Sequence, residues 1–170
     1  MAAGGYKYFN LGSTSGGGTY EPHFGSFYDT TTQTTLGGTP ETMRLNTTDI
    51  SDGFSIVSGS RITAAYAGIY NLQFSAQIQK TQGGSSEDIY IWPRINGVNV
   101  PVSSTRLTLA NNGVFIVAAW NFLINLSAGS YVELMWYSTD PHIELFYEAS
   151  PVAGTIPAIP SIIVTIEKVN

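Results

Sequence analysis

The clearest pattern in the sequence is an alternation of apolar and polar residues over Ile69–Gln79. Tyr, Leu, Phe, Ala and Ile occupy the even positions 70–78, and Asn, Gln and Ser occupy the odd positions 71–79. Successive side chains of a β-strand point to opposite faces, so a period of two places one row on a core and the other on a wetter face. We therefore predict a long, half-buried strand here.

A second alternation leads into a hairpin. Over residues 89–95 isoleucines alternate with aromatic and arginine side chains, and Asn96-Gly97 follows directly. Asn-Gly is typical of a two-residue turn in which both residues have positive φ. The valines of residues 98–102 are predicted to carry the return strand, and Pro101, which has no backbone donor, indicates a sheet edge.

Residues 114–126 differ from these strands because they are apolar on both faces. The even positions carry Val, Ile, Ala, Trp and Phe, and the odd positions include Phe115, Val117, Ala119 and Leu123. A strand that is covered on both sides needs two partners. The opposite sheet can be one of them, and a neighbouring subunit is a candidate for the other.

Two further strands are predicted over Tyr131–Tyr137 and Ser161–Val169, the second after the proline-rich loop Pro151–Pro160. No window of 11 or more residues carries a helical stripe, and β-branched and aromatic residues dominate. Many short strands with frequent turns favour an all-β sandwich, jelly roll or small barrel over residues 24–170.

Residues 1–23 are predicted to form a separate N-terminal arm. Gly12–Gly18 is a low-complexity, glycine- and serine-rich segment that cannot bury a core. Before it stand the aromatic residues Tyr6, Tyr8 and Phe9. The arm is either a loosely ordered terminus or a peptide that docks these aromatics on a neighbouring protein.

Four short segments, in this order, resemble the tumour-necrosis-factor-like and complement globular-head-like jelly rolls. They are Gly25–Asp29, Ala67–Phe74, Phe122–Leu134 and Ile162–Ile166. The resemblance covers roughly residues 24–170. Together with Ile95-Asn96-Gly97, the Ala-Gly-Ile-Tyr strand is most similar to versions found in bacteriophages and other viruses.

This resemblance implies an antiparallel jelly-roll sandwich of about ten strands and a tight homotrimer. The inner sheet would contain the strands near Phe27, Ile69–Gln79, Val114–Leu126 and Ile162–Ile166, and it would meet its copies near a threefold axis. The trimer-interface candidates are then Phe27, Phe115, Val117, Ala119 and Ile163. The chain departs from the animal relatives in having no collagen-like stalk and no calcium-ligand cluster.

The charge composition narrows the functional classes. Only 11% of the residues are charged, the formal net charge is −5, and Lys and Arg number seven in the whole chain. Nucleic-acid binding needs a basic stripe, so it is not expected. The chain has no cysteine, which excludes disulfides, thiolate metal sites and cysteine nucleophiles. The first residues lack a signal-peptide layout, and no apolar run reaches the roughly 18 residues of a membrane span.

No residue pattern indicates catalysis, a cofactor or a metal. Glu133, Glu144 and Glu148 are available for the paired carboxylates of a polysaccharide hydrolase, but Glu133 stands between apolar neighbours on a strand and is expected to point outward. Asp140–Glu144 and Asp49–Gly53 offer too few convergent ligands for a metal and are interpreted as turns.

The best candidates for a ligand-facing surface are Tyr90, Trp92 and Arg94, which share one face of a strand. Such a row can stack on a sugar ring or a peptide, or can pack in a subunit interface.

Taken together, these patterns predict a non-catalytic virion structural protein. It would be a trimeric decoration, fibre or knob module on the particle surface, anchored to other virion proteins through residues 1–23. The alternative is a domain that binds a host receptor or glycan on the same scaffold, and a polysaccharide hydrolase is the third hypothesis.

Overall fold

The computed structural model describes residues 21–111 and 113–169, so Tyr6, Tyr8 and Phe9 lie outside the described residues. Within these ranges the chain forms fourteen strands and no helix. The strands are β1 (Phe24–Asp29), β2 (Gln33–Thr34), β3 (Glu41–Thr42), β4 (Thr47–Asp52), β5 (Phe54–Val57), β6 (Arg61–Ala64), β7 (Gly68–Lys80), β8 (Glu87–Ile95), β9 (Val98–Asn99), β10 (Thr105–Leu109), β11 (Phe115–Leu126), β12 (Tyr131–Ser138), β13 (Ile143–Leu145) and β14 (Ile162–Lys168). None of the described residues belongs to a helix that could cross a membrane.

The strands form two sheets of seven strands each. The first has the order β2-β13-β7-β14-β1-β4, with β11 paired to β7, and the second has the order β10-β8-β12-β6-β5, with β3 paired to β12 and β9 to β8. The ladder pairs are antiparallel. The predicted all-β class is confirmed. The count exceeds the expected ten because β2, β3, β9 and β13 are fragments of two or three residues.

Strand β7 is the centre of the first sheet, and its alternation is as predicted. Its even positions from Tyr70 to Ile78 are buried, whereas its odd positions face outward and are exposed or half-buried. It pairs along almost its full length with β11 on one side, and with β14 and then β13 on the other. The four strands expected in the inner sheet, β1, β7, β11 and β14, do share one sheet.

The turn after β8 has the predicted backbone. Asn96 has φ 49° and Gly97 has φ 81°, so both residues occupy the left-handed region that a two-residue hairpin requires. The predicted return strand is wrong beyond Asn99. There the Val100 N–H bonds the Pro93 carbonyl at 3.1 Å, and the chain leaves the sheet through a turn that contains Val102. Strand β10, which the sequence analysis missed, pairs with β8 instead.

The core lies between the two sheets and is filled from both inner faces. Its largest fully buried side chains include Trp136, Tyr70 and Phe27. Because odd positions of β1 point inward, Phe27 is 0% exposed, and its side chain cannot reach a neighbouring subunit. Phe27 is therefore corrected from an interface candidate to a core residue.

His23, which the sequence analysis assigned to the arm, is packed into the domain. Its ring is stacked on Tyr66 with a centroid distance of 4.0 Å, and its Nδ1 lies 3.1 Å from Asp52 Oδ2. The side chain is buried, so the folded domain includes His23 as well as residues from Phe24 onwards.

Candidate ligand groove and subunit interface

Two surfaces stand out, one on each sheet, and the first is a groove on the outer face of the second sheet. Tyr90 and Trp92 lie two residues apart on the outward face of β8. Tyr137 of β12 is the cross-strand partner of Tyr90, and the two rings lie 6.1 Å apart. The sheet register therefore collects three aromatic side chains on one surface.

The segment Asn99–Ser104 forms one wall of this groove and Pro40 lies beside it; together with the three rings they define the aromatic groove, with a volume of about 600 Å³. Trp92 Nε1 donates to Asn99 Oδ1 at 2.8 Å, which fixes both the indole and the amide. Ser103 Oγ donates to the Val100 carbonyl at 2.7 Å. A volume of roughly 300–1,000 Å³ is typical of small-ligand sites.

Arg94 shares the strand face with Tyr90 and Trp92, but its charge is already engaged. Its Nε and Nη2 both donate to Glu133 Oε2, at 3.0 and 2.8 Å. Arg94 lines a second pocket together with Arg44, and it is absent from the lining of the aromatic groove. The predicted ligand-facing trio is thus divided: two members form the groove and the third holds a carboxylate.

Glu133 lies on the outward side of β12, and its carboxylate is enclosed by paired side chains. It is 2% exposed because Arg94 and Arg61 cover it, and its Oε1 accepts a hydrogen bond from Ser60 Oγ at 2.9 Å. A carboxylate that is held by two guanidinium groups and a hydroxyl is a structural anion.

The histidine loop that the sequence analysis weighed as a metal site forms a different cluster. Asp140 Oδ1 lies 2.8 Å from His142 Nδ1, and its Oδ2 lies 3.3 Å from the Nζ of the fully buried Lys80. Burial raises the pKa of Asp140, but the hydrogen bonds from His142 and Lys80 together outweigh it, and the pKa is lowered overall. Burial raises the pKa of the neighbouring Glu144. Across residues 21–111 and 113–169 no three His, Asp or Glu side chains converge on a metal position.

The second surface is the outward face of β11. The even positions of this strand pack on the core, whereas Phe115, Val117 and Leu123 on the other face are 57%, 58% and 68% exposed. The Phe146 ring meets Phe115 edge-on at 5.3 Å and extends the apolar area. We call the outward side chains of β7 and β11 the β11 face.

The β11 face contains no charged side chain. Outward positions of β7 carry Ile69 and then only Asn, Gln and Ser, and those of β11 carry the apolar residues and two asparagines. Asn121 Nδ2 donates to Asn71 Oδ1 at 3.0 Å, and Asn71 Nδ2 donates to Glu167 Oε1 at 3.2 Å. A polar ladder therefore crosses β11, β7 and β14 within an otherwise uncharged surface.

Strand β11 is also an edge, since its one ladder partner among the described residues is β7. It runs for twelve residues without a charge or a proline. Edge strands of monomeric proteins are usually short, charged or covered, because an open apolar edge pairs with other chains.

Comparison with known proteins gives the fold. No protein-family model matches the sequence, and no curated protein matches it. Among solved structures, the globular domain of zebrafish complement 1qA protein has 15% identity and a TM-score of 0.54, over 88% of this chain and 98% of that one. Crystal structures of murine APRIL at pH 5.0 and pH 8.5 have 8% and 7% identity and TM-scores of 0.52 and 0.53, over 87% of this chain and 99% of each of those.

These neighbours confirm the jelly-roll part of the resemblance. Both neighbour proteins have jelly-roll folds, and the two-sheet antiparallel arrangement described above agrees with them. At identities of 15% and below the likeness shows the fold alone.

Several groove residues were missed by the sequence analysis. Asn99 lay within the predicted return strand of residues 98–102, Ser103 and Ser104 were assigned to no element, and Pro40 is distant in sequence. Tyr137 ends a predicted strand, but the cross-strand register that brings it to Tyr90 was not predicted. The alternation of Leu107 and Leu109 with polar residues was the signal that would have found β10.

Proposed function

We propose that this chain is a non-catalytic, homotrimeric structural module of a virus particle. The observation that carries the proposal is the β11 face, which is apolar, uncharged and open along a twelve-residue edge strand. Interface cores are depleted in charged residues, and aromatic residues are enriched there. A second copy of the chain is the occupant that covers this face in the proposed trimer, with Phe115, Val117, Ala119 and Ile163 as contact residues.

The absence of catalysis is part of the proposal. The aromatic groove is lined by no carboxylate, and the pocket beside it is lined by one, that of Glu41. Glycoside hydrolysis needs two carboxyl groups on opposite sides of the scissile bond. Glu133, the most enclosed of the predicted candidates, is tied to two arginines.

The place on a virus particle is inferred from the sequence. The resemblance to viral jelly rolls and the low-charge composition support it, and residues 1–23 supply a segment with aromatic side chains ahead of the domain. In this proposal Tyr6, Tyr8 and Phe9 dock on another virion protein.

The trimer is tested by light scattering of the purified chain in moderate salt. One chain has a mass of 18.3 kDa, and we expect about three times this value. Val117→Lys places a charge on the β11 face and is expected to give single chains. Val98→Lys is the matched control, because Val98 is 71% exposed on β9 of the other sheet. A wild-type protein whose measured mass is that of a single chain would contradict the proposal.

The anchoring role is tested by binding to purified particles of the virus that encodes the chain. We expect the full chain to bind and a variant with Tyr6→Ala, Tyr8→Ala and Phe9→Ala to bind much more weakly while it keeps its trimeric mass. Equal binding by residues 21–170 alone, which keep His23 in its packed position, would rule out an anchoring arm.

A second candidate function is attachment to a host receptor or glycan on the same scaffold. The specific observation in its favour is the aromatic groove, which the half-buried side chains of Tyr90, Trp92 and Tyr137 line together on the sheet opposite the β11 face. A groove on that sheet stays open in a trimer built through β11, so the two roles are compatible.

A further inference from the structure

The three rings of the aromatic groove line an open surface rather than a closed apolar cavity. Tyr90 and Tyr137 are tilted by 48° to each other, and Trp92 stands next to Tyr90 on the same side of β8. The face of an aromatic ring carries negative charge density and attracts positively polarised C–H groups. One face of a pyranose ring is a row of such C–H groups, so ring faces of this kind suit a sugar.

The lining of the groove is uncharged. It consists of the aromatic rings, Pro40 and residues from Asn99 to Ser104, and none of these side chains is ionisable near neutral pH. Two arginines lie on the same outer face but are paired. Arg94 donates from Nε and Nη2 to Glu133, and Arg106, the cross-strand partner of Tyr90, has its Nη1 3.7 Å from Asp88 Oδ2. A ligand with a carboxylate or sulfate would lose its hydration in this groove without gaining a counter-charge.

The polar atoms of the groove have defined hydrogen-bonding roles. Asn99 Oδ1 already accepts from Trp92 Nε1, and no described residue accepts from Asn99 Nδ2, which leaves that group as a donor. Ser103 Oγ donates to the Val100 carbonyl, and in this arrangement its lone pairs face a ligand as acceptors. A fitting ligand must therefore both accept and donate, as the adjacent hydroxyls of a sugar do.

We propose that the aromatic groove binds an uncharged sugar ring, with the pyranose stacked on Trp92 and Tyr90 and its hydroxyls bonded to Asn99 and Ser103. The proposal deepens the attachment candidate and rests on it, by naming the ligand class as a neutral glycan. It does not depend on the trimer.

A proline-rich peptide is the main competing occupant, because such peptides also dock in aromatic grooves. Prolines, however, have no backbone N–H, and their carbonyls can only accept. Such a peptide leaves the acceptor at Ser103 unpaired, which disfavours it relative to a sugar.

Binding is tested on the full chain with named probes. Cellopentaose, maltopentaose and chitopentaose are the neutral glycans, 3′-sialyllactose is the acidic one, and decaproline is the peptide. Saturation-transfer NMR detects the bound ligand, and a fluorescence titration reads the tryptophan in the groove. We expect at least one neutral pentasaccharide to bind and 3′-sialyllactose and decaproline not to bind.

Variants locate the site. Trp92→Ala and Tyr90→Ala are each expected to weaken binding by about tenfold or more, the effect of losing one stacked ring. Asn99→Ala is expected to weaken it by roughly three- to tenfold through the lost hydrogen bond. Two control variants should leave neutral-glycan binding unchanged. They are Arg44→Gln, in the second pocket that Arg44 and Arg94 line, and Phe24→Ala, on the other sheet.

Trp92→Phe keeps an aromatic face if Trp92→Ala fails to fold, and it should retain part of the affinity. Binding of 3′-sialyllactose that is lost in Arg44→Gln would overturn the neutral-glycan proposal and leave the attachment candidate standing. Decaproline binding that is lost in Trp92→Ala would overturn it in favour of a peptide. No binding of any probe at millimolar concentration would overturn the neutral-glycan proposal. It would leave attachment through a protein receptor standing, and the mass measurement would still decide whether the chain is a trimer.

Discussion

Glu133 and Lys80 are almost fully buried, and each lies in a group of charged and polar partners. Glu133 is the centre of one such group, since Arg94, Arg61 and Ser60 all direct polar atoms at its carboxylate. In a chain with 11% charged residues, a cluster of this kind on the outer side of a sheet fixes the strands β6, β8 and β12 relative to each other. Removal of one member leaves the others without a partner in a partly desolvated position.

Glu133→Gln is therefore expected to lower the free energy of unfolding by about 2 kcal/mol, the range of a lost charged hydrogen-bond pair whose partners can still reach water. Arg94 and Arg61 are 27% and 43% exposed, which limits the loss. Asp88→Asn is the control, because its partner Arg106 is 64% exposed, and it should cost less than about 1 kcal/mol. Urea denaturation measures both, and equal losses would contradict the assigned role of Glu133.

Lys80 and Asp140 form the second covered pair. Lys80 is 0% exposed although it ends a strand of otherwise apolar inward residues, and its Nζ donates to the Ser85 carbonyl and faces Asp140. The sequence does not predict that Lys80 is buried, because a lysine at the end of an alternating strand equally fits a solvated position. Its burial follows from the 81–86 loop and from Asp140, which approach it only in the folded chain.

The pair predicts a pH dependence. Because the pKa of Asp140 is lowered in the folded state, its carboxylate stabilises the fold above its ordinary value of 3.8, and this contribution is lost as the pH falls through the folded pKa. Asp140→Asn should therefore be less stable than the wild type by about 3 kcal/mol near pH 7, with a difference that shrinks below about pH 4. Urea denaturation at several pH values measures this, with Asp88→Asn as the control. A difference that is the same at all pH values would contradict the pairing.

At the scale of single elements, β7 shows how far a pattern determines structure. Its period of two fixes which side chains are buried, and Phe74 illustrates the result: it is 4% exposed, meets Trp120 edge-on at 4.6 Å and lies parallel to Phe122 at 6.3 Å. The two partners come from β11, so this aromatic group joins two strands that are more than forty residues apart in sequence.

Phe74→Ala is expected to lower the free energy of unfolding by about 3–5 kcal/mol, because it opens a cavity among three rings. Gln73→Ala, one residue away on the opposite face, should change it by less than about 1 kcal/mol. Chemical denaturation of both variants at one protein concentration makes the comparison. Similar effects at the two positions would mean that β7 does not bury its even positions and expose its odd ones.

The hairpin after β8 contains both a turn that the residue pattern predicts and a turn that it does not. Asn96-Gly97 identified the turn because both residues tolerate positive φ, but the valines after it were taken for a strand. In the fold Val102 is fully exposed with φ 56°, a conformation that β-branched residues rarely adopt. The wall of the aromatic groove is thus a strained turn, and strain of this kind is common at binding sites. Local sequence does not reveal it, because the turn is fixed by hydrogen bonds to Pro93 and Val100.

At the scale of the whole molecule, the sequence predicted the all-β class from strand periodicity, and the jelly-roll sandwich and the membership of its inner sheet from the resemblance to known jelly rolls. It did not predict that Phe27 is a core residue. In a strand as short as β1, the alternation of apolar and polar residues is too brief to show which face carries Phe27. The groove depends on the register between β8 and β12 and on Pro40, and such long-range pairings are not encoded in a local pattern.

The β11 face gives a prediction for the assembled protein. If three chains associate through it, unfolding is coupled to dissociation, and the melting temperature must rise with protein concentration. A tenfold increase favours the trimer by about 0.9 kcal/mol per chain, two-thirds of the 1.4 kcal/mol that corresponds to a factor of ten. For a domain of this size we expect a rise of roughly 2–4 °C per tenfold increase.

Calorimetry over a hundredfold concentration range measures this slope. Leu123→Lys, which charges a position that is 68% exposed, should melt lower and show no slope, because the charge cannot be solvated between chains. Val98→Lys should keep the wild-type slope, since Val98 lies on the other sheet. A concentration-independent wild-type melting temperature would mean that the apolar edge of β11 is tolerated in a monomer, and would leave the aromatic groove as the functional surface that the fold supports.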